Sequence, residues 1–200
     1  MRLSSAVWFV LMLSAAVGGE KFDPGAASAH KTRQTNDHVT VAAVPYTTDE
    51  QARPAFGKHN PYKYGILPVL VIVQNDLDEP LRLSGVQAEY ELPDGRHIEA
   101  VPPSDIASTT ARIPKDSPGS PAPRLPFPLP KKKNPLANWE LDGRAFTAQM
   151  VAPHESAYGF FYFETELIRG AKLYLTGMQG MRTGKGIIYF EVPLEQPPAK

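Results

Sequence analysis

The chain of 200 residues contains no cysteine. That absence excludes a disulfide framework, a thiol nucleophile, a Cys-ligated zinc, a c-type haem attachment and a blue-copper centre. It also excludes a lipid tether carried by an N-terminal cysteine. Charge of one sign is lacking in the same way: Lys plus Arg and Asp plus Glu each number 21, for a formal net charge of zero. A nucleic-acid binder would carry a basic surplus gathered on one face, so nucleic acid is not an expected partner. Long apolar runs are missing too. Crossing a bilayer core of roughly 30 Å takes about twenty apolar residues, so the mature chain is expected to have no transmembrane span.

The start of the chain has a definite layout: a positive charge at Arg2, an apolar run over residues 6–17 interrupted at Ser14, and small residues ending at Gly18 and Gly19. This is the pattern of a secretory signal peptide over residues 1–19. Cleavage is expected to leave Glu20 at the new N-terminus, with a cut after Ala16 as the alternative. The protein is therefore expected to be exported, periplasmic or extracellular. An exported chain of roughly 180 residues is large enough to bury a core without disulfides.

Residues 20–37 have no apolar period and read as a flexible leader, so structure is expected to begin near His38. From there Val39, Val41 and Ala43 alternate with their neighbours up to Pro45, the period of a strand. The connection over residues 46–64 carries turn signals at Pro54, Gly57 and Asn60-Pro61, with room for a short helix near residues 48–53 capped by Thr47 or Thr48. Residues 66–73 are almost wholly apolar and β-branched, which predicts a strand buried on both faces. Val86, Ala88, Tyr90 and Leu92 alternate with polar residues and run into Pro93-Asp94-Gly95, the clearest hairpin turn in the chain.

Between residues 101 and 135 lie ten of the 21 prolines. Residues 102–138 therefore read as a proline-rich, disordered loop, since proline at that density neither joins a ladder nor continues a helix. Four further strands are expected at residues 144–151, 159–164, 172–176 and 186–192, with residues 194–200 as a tail. Seven to eight short strands over residues 38–193, with no amphipathic helix, predict an all-β, antiparallel immunoglobulin-like β-sandwich interrupted by a long proline-rich insertion.

Three runs carry a resemblance. They are Phe56-Gly57 with Asn60-Pro61-Tyr62, the strand from Gly65 to Asn75, and Ala152-Pro153 with Glu155-Ser156 leading into Gly159 to Phe163. Together they resemble uncharacterised bacterial secreted or envelope proteins with an immunoglobulin-like domain. The resemblance covers residues 39–92 and 147–192 and implies an architecture and a compartment. It transfers no catalytic residue.

Motifs that carry chemistry fall short of their templates. The glycine-rich run from Gly177 to Gly186 lacks the spacing of a phosphate-binding loop and has Gly186 where Ser or Thr is required. His154-Glu155-Ser156 is neither a His-Glu-x-x-His nor a Gly-x-Ser-x-Gly motif. Weak metal candidates remain: Asp76, Asp78 and Glu79 as oxygen ligands for calcium, and Met178 and Met181 as soft ligands for copper. No cofactor is expected.

Two features suit binding. A cationic strip is formed by Arg124 and Lys131, Lys132 and Lys133 within the proline-rich segment. An aromatic set, Phe160, Tyr162, Tyr174 and Tyr189, lies out of phase with the presumed core face and is expected to form an outer patch. The alternative is that the leader or the proline-rich segment covers these rings. The expected function is an exported, non-enzymatic binding or structural module of the cell envelope, with a protein or envelope component as partner. The alternative is a small exported hydrolase or a copper- or calcium-binding protein.

Overall fold

The computed structural model describes residues 22–108, 139–187 and 189–195. In chain order the elements are β1 (Arg33–Asn36), β2 (Val39–Pro45), α1 (Asp49–Phe56), β3 (Leu67–Asn75), β4 (Leu81–Arg82), β5 (Gln87–Glu91) and β6 (His97–Glu99). After these come α2 (Pro103–Ser108), α3 (Trp139–Arg144), β7 (Met150–Val151), β8 (Ser156–Phe163), β9 (Lys172–Thr176), β10 (Gln179–Gly180) and β11 (Phe190–Pro193). The fold is all-β and mostly antiparallel, with few and short helices. A first sheet has the order β1-β2-β3-β8, a second β11-β9-β5-β6, and a small third β10-β4-β7.

The unbroken apolar run of β3 explains the layering. Leu67, Val69, Val71 and Val73 share one core with Tyr90, Leu173, Leu175, Phe190 and Val192 of the second sheet. Leu70 and Ile72 point the other way, into a second core with Phe56 of α1, Ile106 of α2, Leu141 of α3, and Phe160 and Tyr162 of β8. A strand buried on both faces has no polar alternation, as the sequence led us to expect. The short helices cover the outer face of the first sheet, and the outer face of the second sheet meets solvent.

Local chemistry sets the connections. Thr48 caps α1 through a capping box: the Gln51 amide N–H donates to Thr48 Oγ1 at 3.3 Å, and the Thr48 N–H donates to Gln51 Oε1 at 3.2 Å. In the β5–β6 hairpin, Gly95 adopts φ +82° and its N–H donates to the Leu92 carbonyl, while the Arg96 N–H donates to Asp94 Oδ1.

Several expectations need correction. Residues 22–37 are not a flexible leader: Phe22 is buried, residues 27–29 form a 3-10 turn, and Arg33–Asn36 pair with β2. A polar edge strand needs no apolar period, because the ladder and its side-chain amides hold it. The strand expected at residues 144–151 shrinks to Met150–Val151, because α3 occupies residues 139–144 and the chain then crosses β8 beside Gly159. Of the expected loop, Pro103–Ser108 is helical, with proline at the first helical position where its missing N–H is harmless. Residues 109–138 lie outside the described residues. Leu194, assigned to the tail, is buried and donates its N–H to the Ala171 carbonyl.

Candidate contact surface

Register places one row of side chains straight across the outer face of the second sheet. Glu191 of β11 opposes Tyr174 of β9, Tyr174 opposes Glu89 of β5, and Glu89 opposes Glu99 of β6. A second row holds Lys172, Glu91 and His97. Alternation fixes this face, since the residues between them, Leu173, Leu175, Ala88 and Tyr90, are buried in the core. Tyr189, 39% exposed, lies with its ring centroid 5.5 Å from that of Tyr174. His97 meets Tyr174 edge-on at 5.7 Å, and its Nδ1 lies 2.7 Å from Glu89 Oε2.

Tyr189 is held in place from the first sheet. Asn36 Nδ2 donates to the Tyr189 carbonyl at 2.6 Å, and the Glu191 N–H donates to Gln34 Oε1 at 2.6 Å. Two β1 amides thus take the part of a missing ladder strand along the β11 edge. Lys172 Nζ donates to Glu191 Oε2 at 2.9 Å, and that bond, reinforced by the charge of Glu91, raises the lysine pKa.

The expected four-ring patch divides in two. Tyr174 and Tyr189 reach the surface, whereas Phe160 and Tyr162 are each 1% exposed and belong to the second core. Phe160 packs against Phe56, Tyr46 and Phe22 at centroid distances of 4.7, 5.0 and 5.8 Å. The Tyr162 hydroxyl donates to the Leu141 carbonyl at 2.8 Å, and burial pushes its pKa up. All four rings do point away from the core between the sheets, but helices and Phe22 cover the first pair. Arg124, Lys131, Lys132 and Lys133 lie outside the described residues.

The metal candidates do not converge. Asp76 accepts from Gln74, and Asp78 lies 3.2 Å from His154 Nε2. Glu79 turns inward and accepts from the N–H groups of Arg182 and Thr183 and from Thr183 Oγ1, at 2.6, 2.9 and 2.8 Å. These donors, the Thr183 N–H foremost, hold its carboxyl below the ordinary pKa. Met178 is a core side chain, while Met181 is exposed. Among the described residues no group of three or more His, Asp or Glu is placed to hold a metal ion.

Asn75 is the residue that sequence reasoning undervalued. Fully buried, its Nδ2 faces the carbonyls of Glu79, Val151 and Ala152 at 2.9, 3.2 and 3.1 Å, and its Oδ1 accepts from the Leu77 N–H. Its position at the end of an apolar strand was the available signal.

A groove of about 370 Å³ opens between the β5–β6 hairpin and β8, walled by Val86, Val101, Pro102, Phe146 and Phe161. Among the described residues its lining includes Glu89 and Glu99 but no histidine, serine or lysine.

No family model and no curated protein matches the chain. Among solved structures it is similar to the X-ray structure of Northeast Structural Genomics Consortium target SoR45, at 10% identity and a TM-score of 0.32, over 80% of this chain and 83% of that one.

Proposed function

We propose that the chain is an exported, non-enzymatic module of immunoglobulin-like type that acts in the cell envelope by binding, through the outer face of its second sheet. The observation that carries this reading is the exposed Tyr189 with the half-buried Tyr174 beside it on the outer face. Tyrosines of this kind combine large contact area with few rotatable bonds, which favours them at interfaces. The signal-peptide layout of residues 1–19 supports export. Two antiparallel sheets sharing one core support the immunoglobulin-like assignment.

The test is in-cell photocrosslinking. A benzoylphenylalanine replaces Tyr189, and in a parallel strain it replaces Ile168, which is 39% exposed on the loop between β8 and β9 and belongs to neither row. The expected result is one discrete adduct from position 189 in the exported fraction and none from position 168.

A further inference from the structure

The acidic rows of the second sheet carry an imbalance that its fold does not require. Four glutamates, Glu89, Glu91, Glu99 and Glu191, share the face with one lysine, Lys172, so 1 − 4 = −3 with His97 neutral. Lys172 is bonded to Glu191, and His97 to Glu89. Glu99 has no ion pair among the described residues, yet it stands directly opposite Glu89 in the ladder. Like charges directly opposed across strands are destabilising. On the other side of Glu89 the row continues to Tyr174, whose ring adjoins Tyr189. The face therefore offers two aromatic rings beside Glu89 and, on the far side of Glu89 from them, a carboxylate, Glu99, with no cation paired to it among the described residues.

Building on the reading of this face as a contact surface, we infer that it docks a cationic polypeptide segment, with one lysine or arginine side chain lying over Tyr174 and Tyr189 and a second placing its charge between Glu89 and Glu99. Charge complementarity selects the sign of the partner. The rings suit its side chains: the face of an aromatic ring attracts ammonium and guanidinium groups, and guanidinium also stacks on it. Arg144 already lies over the Phe22 ring in this way, at 5.1 Å. A partner that neutralises Glu99 also relieves its repulsion with Glu89.

The experiment titrates the mature chain with acetylated hexa-arginine, and with hexaglutamate as control. Hexa-arginine is expected to bind saturably, hexaglutamate not at all. Glu89→Gln with Glu99→Gln should weaken binding at least tenfold. Tyr174→Ala with Tyr189→Ala should weaken it roughly threefold or more, the range of exposed cation–π contacts. Glu99→Gln alone should melt no lower than the parent, because it removes the repulsion and leaves the His97–Glu89 bond in place. Unchanged affinity in either double variant overturns the inference. So does a much tighter complex with a chain carrying Lys131→Gln, Lys132→Gln and Lys133→Gln, if the gain disappears in the Glu89→Gln, Glu99→Gln background, because the face would then already be occupied by the chain's own lysines. If crosslinks from position 189 persist undiminished in the Glu89→Gln, Glu99→Gln background, the contact surface stands and the cationic partner falls.

Discussion

Asn75 ties together segments far apart in sequence, with its one amide group facing carbonyls at positions 79, 151 and 152. Replacing it by alanine removes this donor from all three carbonyls, of which Ala152 keeps the Glu155 N–H, and takes the Oδ1 acceptor from the Leu77 N–H, a loss of about 3 kcal/mol for several hydrogen bonds of roughly 1 kcal/mol each plus desolvation. Urea denaturation of Asn75→Ala should show that loss as a lowered midpoint with an unchanged slope. Asn75→Asp should fare worse, because it turns a carboxylate towards the same carbonyls. Glu79 works on a loop instead of a core. Its folded-state pKa lies below the ordinary value of 4.5, so its contribution is complete above that value and is lost as pH falls through the lower folded pKa. The N–H groups of Arg182 and Thr183 should therefore exchange faster with solvent, relative to other amides, as pH drops below about 4.5. In Glu79→Gln the acid-induced part of this change should be absent.

At the scale of elements, two close approaches decide what the strands tolerate. A Cβ on Gly159 would lie 2.5 Å from Phe146 Cα, where the chain leaving α3 crosses β8. Gly159→Ala must push that crossing strand away, undoing the Phe146–Phe161 ring stack at 5.2 Å and the bond from the Phe146 N–H to the Phe160 carbonyl. The expected cost is about 2 kcal/mol or more, within the range of overpacked sites, and thermal melting of the variant measures it. The sequence made this element partly legible. Alternation identified β2, β5 and β9, continuous apolar character identified β3, and Pro93-Asp94-Gly95 identified the hairpin, because in each case local chemistry and burial agree. It failed at β1 and at residues 144–149. Arg33–Asn36 pairs with the adjacent β2 across a two-residue turn in which Asp37 and His38 both take positive φ, a hairpin hidden by its lack of apolar side chains and held also by amides reaching β11, whereas residues 145–146 depend on a bridge to distant Phe160. The candidate site was half legible for the same reason. A phase shift relative to the core marks a ring as facing the other side of its sheet, but it does not say whether that side is covered. Phe160 and Tyr162 lie beneath the helices and Phe22, whereas Tyr189 is exposed and Tyr174 half-buried on the open face.

For the molecule as a whole, the two outer faces are therefore unlike. One is roofed by α1, α2, α3 and Phe22, whose ring contacts reach Tyr46, Tyr158 and Phe160. The other is open, acidic and bears the tyrosine pair. A roofed face spends its aromatics on stability; an open one keeps them for contact. The β1 amides that grip the Tyr189 carbonyl and the Glu191 N–H hold that open face rigid against the first sheet, so a partner meets a preformed surface. The most direct test of this account is the comparison of photocrosslinking from positions 189 and 168 in intact cells. The account predicts a discrete adduct from position 189 alone, lost when Tyr174 is changed to alanine. Adducts of equal yield from both positions, or none from position 189, would contradict it.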